Sequence, residues 1–123
     1  MNYLFVYGTL MSPFSFSASK HLRDCSDFVS KGYINGRLYL VQAEFDYPAL
    51  KIGEVTKVFG ELYRITDSNV FDFLDEFEGS EYGKIDIEVT IENEQKIVAQ
   101  CYHFLGLTDQ FKVISSGDFL QMD

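Results

Sequence analysis

Ile85, Ile87, Val89 and Ile91 alternate with Lys84, Asp86, Glu88 and Thr90. A period of two predicts a half-buried strand. Asn93 and Glu94 supply turn chemistry, and residues 96–105 return as a second strand, so a hairpin is expected there. Residues 3–6 form a short apolar run closed by Gly8, the pattern of a buried strand. Residues 33–41 are rich in β-formers and carry Gly36, a candidate bend or bulge. Pro48, Gly53 and Gly60 punctuate the middle of the chain, and residues 58–65 read as a further strand. Residues 12–31 interleave Ser and Phe, with a short helix expected over about residues 14–23. The tail, residues 114–119, is expected to form a last turn or short helix.

One segment follows a period of 3.6 instead. Val70, Phe71, Phe73, Leu74 and Phe77 are its apolar positions, and Asp72, Asp75 and Glu76 make a wet face. Thr66 or Asp67 is placed to cap its start, and Gly79 to supply a left-handed residue after its end. About six strands and one main helix predict an α+β fold. We expect a small closed or partly closed, mixed but largely antiparallel β-barrel with short flanking helices, formed by residues 1–123 as one domain. The 12 Phe and 8 Tyr suit the strands of such a barrel.

Glu78 breaks the amphipathic rule of this helix. At about 100° per residue it shares a side with Phe71 and Leu74, so a carboxylate continues an apolar stripe. Three effects are expected to raise its pKa: the negative end of the helix dipole, the like charges of Asp75 and Glu81, and desolvation by Phe71, Leu74 and Phe77. A group tuned this way can act as base and then as acid near neutral pH. The plain alternative is a helix-end carboxylate in water. A Ca²⁺ site built from Asp72, Asp75, Glu76 and Glu78 is disfavoured, because EF-hand spacing is absent and a helical array makes a poor cage.

Two further segments carry candidate chemistry. Tyr7, Gly8, Thr9 and Leu10 end a strand in a turn whose N–H groups can hold a carboxylate or an oxyanion, with Gly8 allowing close approach. Nucleotide phosphate-loop spacings are absent. Asp46, Tyr47, Pro48, Ala49 and Leu50 suit a rigid loop presenting an aromatic wall. His21 and His103 have no partner pattern and read as structural or exposed.

Charge and cysteine usage narrow the partners. A net charge of −9 lacks the basic footprint that nucleic acid or an anionic membrane requires. Cys25 and Cys101 form neither a CxxC pair nor a disulfide framework, which suits thiols in a reduced compartment. The N-terminus lacks a basic start and a signal-length apolar core, and no apolar run reaches the roughly 18 residues of a membrane span. A cytoplasmic protein, monomeric or weakly homodimeric, is expected.

In order along the chain, five segments resemble the γ-glutamylcyclotransferase-like superfamily, in its small branch with γ-glutamylamine cyclotransferase and AIG2-like proteins. They are Tyr7-Gly8-Thr9-Leu10, then Tyr47-Pro48-Ala49-Leu50, then Val58-Phe59-Gly60-Glu61-Leu62-Tyr63, then Leu74-Asp75-Glu76-Phe77-Glu78-Gly79 with Tyr82, and last Ser116-Gly117-Asp118-Phe119. The resemblance implies a reaction without metal or cofactor on a γ-glutamyl amine or peptide. Tyr7, Gly8, Thr9 and Leu10 would hold the glutamyl moiety. Glu78 would move the proton, and 5-oxoproline and a free amine would be released. The leaving group stays open between glutathione, γ-glutamyl-lysine and other γ-glutamyl metabolites. A non-catalytic binding module on the same fold is the runner-up, and a hydrolase using Glu78 to activate water is a third reading. Two positions depart from the pattern. Lys84 stands where the family often has Arg, losing the bidentate fork, and Phe119 replaces the usual terminal aromatic. Tyr82 is read as a pocket wall, a hydrogen-bond donor to Glu78, or a barrel-rim side chain.

Overall fold

The computed structural model describes residues 2–121, apart from the side chains of Glu54 and Val55. The outermost positions of the expected 1–123 domain, residues 1, 122 and 123, lie outside the described residues. In chain order the elements are β1 (Asn2–Val6), α1 (Ser17–Asp24), β2 (Ser26–Val41), β3 (Tyr47–Ile65), α2 (Val70–Glu78), β4 (Tyr82–Ile91), β5 (Lys96–Phe104), β6 (Lys112–Ile114) and a final 3₁₀ turn over Phe119–Gln121.

The strands follow the order β3-β1-β5-β4-β2-β6, and β2 also pairs with β3. That extra pairing closes five strands into a barrel and leaves β6 on the flank. The β1–β5 pair is parallel and the other pairs are antiparallel. The fold is therefore the expected α+β barrel, closed and mixed. Its two α-helices are of similar length, eight and nine residues, rather than one main helix with lesser companions.

Polar–apolar alternation located β4 and β5 but understated the longest strands. β2 begins at Ser26 and β3 at Tyr47. Residues 26–33 are exposed or half-buried throughout, so this first half of β2 carries no buried apolar face to read. Pro48, Gly53 and Gly60 do not break β3. Pro48 pairs with Leu40 and Gly60 with Gly32, and only Gly53 lies in a deviation, where the partners jump from Gly36↔Ile52 to Asn35↔Lys57. That jump is the irregularity foreseen at Gly36.

The helix α2 ends where the sequence placed its end. Gly79 has φ +80°, and its N–H donates to the Asp75 carbonyl. The start differs: Asn69 holds the N-cap position without a side-chain cap, and Asp67 instead accepts the Asn69 N–H at 3.0 Å. Only Val70 and Leu74 of its apolar set are fully buried. Phe73 stacks on His21 of α1 at 4.5 Å, so the imidazole does serve packing between the helices. Asn93 and Glu94 form the expected turn, with the positive φ falling on Glu94. Phe119 is buried against Phe14, with ring centroids 5.8 Å apart. No helix among the described residues is long and apolar enough to cross a membrane.

Candidate functional site

The end of β1, the start of β3 and the C-terminal end of α2 meet around a cavity of about 400 Å³. Tyr7, Gly8, Thr9 and Leu10 line it, as do Tyr47, Pro48, Glu78 and Tyr82. Segments separated by most of the chain thus face one volume. Tyr47 and Pro48 reach it from inside β3, not from a loop as the sequence suggested; the loop ends at Asp46, whose carboxylate accepts the Ala43 N–H at 3.2 Å.

The residues after β1 form a tight turn closed by the Met11 N–H on the Gly8 carbonyl at 3.0 Å. The N–H groups of Thr9 and Leu10 find no acceptor among the described residues. They are free to receive an anionic or carbonyl oxygen from a ligand. A Cβ on Gly8 would stand 2.6 Å from Pro48 Cγ and 2.8 Å from its Cδ, so the side wall of the cavity rests on this glycine. Gly8→Ala is expected to push the Pro48 ring aside at a cost of about 1–3 kcal/mol, as overpacking usually does. Urea unfolding measures that cost, and a midpoint equal to wild type would show that the wall yields freely.

Glu78 is half-buried, and burial raises its pKa from 4.5 to about 7. Desolvation is the cause; the expected like-charge push from Asp75 and Glu81 is not part of it. Asp75 is instead occupied elsewhere. It accepts the Tyr102 hydroxyl at 2.6 Å and faces the Lys84 ammonium at 3.3 Å. The Lys84 ammonium also lies 4.5 Å from the Phe71 ring centroid. Lys84 therefore ties β4 to α2 through a point charge, without the planar fork an Arg would offer.

Three phenols surround Glu78, and each donates to a different acceptor. Tyr7 donates to the Tyr102 carbonyl at 2.5 Å, Tyr82 to the Pro48 carbonyl at 2.8 Å, and Tyr102 to Asp75. Burial first, and the Glu78 charge among lesser causes, raise the pKa of all three, so they stay protonated at neutral pH. Of the three roles open to Tyr82, the structure selects the pocket wall, with a hydrogen bond that pins Pro48. None of the described residues donates a hydrogen bond to Glu78, which leaves its carboxyl available to a ligand. Cys101 is fully buried with its thiol pushed up by burial, and Cys25 is also a free thiol. His103 is half-buried on β5, its pKa lowered by burial and then by Lys51.

Phe16, Phe45 and Tyr102 line the cavity although the sequence did not single them out, and Glu81, read there only as a like charge near Glu78, lines it too. Phe16 and Phe45 meet edge to face at 5.5 Å, although 29 positions separate them along the chain. The one available signal was Phe45 itself, a large apolar side chain in a polar turn, 64 % exposed in the structure. No cluster of three or more His, Cys, Asp or Glu side chains among the described residues could hold a metal ion, the acidic group on α2 included.

The family model for gamma-glutamyl cyclotransferase, AIG2-like proteins matches residues 4–121. Among solved structures, YkqA from Bacillus subtilis is similar with a TM-score of 0.74 and 26 % identity, over 96 % of this chain and 39 % of YkqA. The chain thus spans well under half of that protein. An AIG2-like protein from Mus musculus is similar with a TM-score of 0.73 and 25 % identity, over 90 % of this chain and 82 % of that one. The uncharacterized protein PH0828 from Pyrococcus horikoshii shares the fold, with a TM-score of 0.71 and 24 % identity over 97 % of this chain and 90 % of its own. No curated protein sequence matches the chain.

Proposed function

This chain belongs to the gamma-glutamyl cyclotransferase, AIG2-like family, and on that premise we propose that it releases 5-oxoproline and a free amine from a γ-glutamyl amine or γ-glutamyl peptide. The observation that carries the reading is the pairing, across one cavity, of a carboxyl with a pKa of about 7 and a turn with two free amides. The volume falls at the lower end of the range for small-molecule sites, roughly 300–1,000 Å³.

The turn at Gly8, Thr9 and Leu10 receives an oxygen of the glutamyl moiety. Ionised Glu78 takes a proton from the substrate's α-ammonium group. The freed amine attacks its own γ-carbonyl carbon, and the new C–N bond closes a five-membered lactam. Glu78 returns its proton to the leaving nitrogen as the old C–N bond breaks. The ring nitrogen sheds its remaining extra proton to the regenerated carboxylate and on to the departing amine, which leaves as an ammonium ion. Glu78 ends as it began, and no step needs a metal or cofactor. Because attack is intramolecular, holding the substrate folded supplies much of the rate. A group half-ionised near pH 7 loses little in either transfer.

The walls also bear on the leaving amine. Glu81 and the rings of Phe16, Phe45 and Phe77 line the cavity, whereas no Lys or Arg does among the described residues. A leaving group carrying a carboxylate finds no cation there. Incubation with γ-glutamyl amides of uncharged amines, with glutathione and with γ-glutamyl dipeptides, read by mass spectrometry for 5-oxoproline, tests the reading. We expect the amides to exceed glutathione in kcat/KM by about tenfold, the factor that corresponds to about 1.4 kcal/mol. Glutamate in place of 5-oxoproline would make the protein a hydrolase. Melting-temperature shifts without turnover would make it a binding module.

A further inference from the structure

Glu61 is a buried carboxylate, 5 % exposed, on the β3 strand next to Gly60. The reaction outlined above gives it no task. Its two oxygens are nevertheless fully engaged. Oε1 accepts the Ser12 N–H at 2.7 Å and the Tyr63 hydroxyl at 2.8 Å, and Oε2 accepts the Ser12 hydroxyl at 2.8 Å. Glu61 is also the β3 residue that pairs with Val6, the last residue of β1. The chain leaves the sheet at Val6, makes the turn of residues 7–11, and comes back at Ser12 to the side chain of the same residue. One residue therefore fixes both ends of the segment that carries the free amides of Thr9 and Leu10.

We propose that Glu61 is a positioning residue that sets the geometry of this turn for the glutamyl moiety, an inference that rests on the cyclotransferase reading. A buried carboxylate is a costly way to fill a core, and well-packed apolar side chains usually do so as well or better. What a carboxylate offers instead is acceptor capacity on two oxygens at once. Here that capacity takes both donors of Ser12, backbone and side chain, and so fixes the position and the orientation of one residue. Charge-assisted bonds of this kind are the stronger class. Met11, just before Ser12, is 2 % exposed and plugs into the core, so the turn cannot shift without breaking both anchors. Leu10, the next residue back, already lines the cavity.

The test compares four variants at a temperature where all are folded. Glu61→Ala removes both anchoring bonds and is expected to lower kcat/KM on the order of 10- to 100-fold, the scale of a displacement near 1 Å. Glu61→Gln keeps an oxygen for the Ser12 N–H and an amide that can donate to the Ser12 hydroxyl, and is expected to restore most of the loss. Ser12→Ala keeps only the N–H bond and should fall between. Tyr63→Phe removes the donor that does not touch the turn, and should lower the melting temperature with kcat/KM unchanged. Throughout, the ionisation near pH 7 in the pH profile should stay in place, because Glu78 is untouched. Amide hydrogen exchange supplies a readout independent of turnover: the bonded amides of Met11 and Ser12 should exchange faster in Glu61→Ala than in Tyr63→Phe. The proposal is overturned if Tyr63→Phe loses as much kcat/KM as Glu61→Ala, or if exchange of the Met11 and Ser12 amides is the same in both. If wild type forms no 5-oxoproline from any γ-glutamyl compound, the cyclotransferase reading fails, and exchange alone then decides whether Glu61 holds the turn.

Discussion

Replacing Glu78 by glutamine is expected to lower kcat for 5-oxoproline formation by about 10²- to 10⁴-fold, the usual worth of a general base. Glutamine keeps the shape and cannot take the proton. In wild type, kcat/KM should rise through a single ionisation near pH 7 and level off above it, because only the ionised carboxyl accepts the α-ammonium proton. The same substitution carries a stability signature of opposite sense. The folded-state pKa of about 7 lies above the ordinary 4.5, so between those values the folded chain holds a proton that the unfolded chain has released. The neutral carboxyl's contribution is complete below pH 4.5 and is lost as pH rises through about 7. Glu78→Gln, neutral at every pH, should match wild type near pH 4.5 and exceed it above about pH 8 by on the order of 3 kcal/mol, since each pKa unit is worth about 1.4 kcal/mol. Thermal melts at the two pH values measure the difference. Undiminished 5-oxoproline formation in the variant would sink the assignment of the base, and a stability gain that ignores pH would show that Glu78 does not titrate in this range. Loss of activity together with a gain in stability at high pH is the behaviour of a site held in a state the fold alone does not favour.

The parts of this site that local pattern encodes were readable, and the parts made by distant contact were not. The end of α2 at Glu78 and Gly79 follows from period and from glycine's freedom at φ +80°. The turn after β1 follows from an apolar run meeting Gly8. The cause of the raised pKa was only partly legible. Sequence proximity put Asp75 beside Glu78 as a like charge, but the Asp75 carboxylate turns to Tyr102, 27 positions away, and to Lys84. Proximity along a helix says which side chains can meet, not which partner wins. Glu61 was visible as one member of a strand motif, yet its meaning lies in Ser12, 49 positions earlier. The aromatic mouth depends likewise on a loop and a helix approach that no periodicity specifies. Phe77 shows the converse: it belongs to the apolar set of α2 but is 44 % exposed, because the cavity takes the place of a core neighbour.

Gly60→Ala is expected to cost about 3 kcal/mol or more, at or beyond the upper end of ordinary overpacking. The sequence reading puts this glycine inside a strand, residues 58–65, and it sits inside β3 where neighbouring strands approach closely. A Cβ there would stand 2.2 Å from the Val6 carbonyl oxygen and 2.7 Å from Phe5 Cζ. The nearer atom is backbone, so no rotamer change relieves the contact; β1 and β3 must part. Across the pair, Gly32 faces Gly60 and is itself 2.7 Å, by the same measure, from the Thr90 carbonyl oxygen of β4. Two facing glycines let four strands close at this point. A melting temperature lower by roughly 10 °C or more is the expected readout for a chain of this size. Gly53→Ala supplies the contrast: its Cβ would meet nothing within 4 Å, but φ is +85°, so the cost should be that of a left-handed residue alone, about 1 kcal/mol. If Gly60→Ala costs no more than Gly53→Ala, close strand approach is not what selects glycine there. The consequence reaches the site because Val6 is the last residue before Tyr7. Parting β1 from β3 would move the Gly8 turn away from Glu78, so residual folded protein should also bind γ-glutamyl ligands more weakly than wild type, and calorimetric titration of the folded fraction would measure that loss.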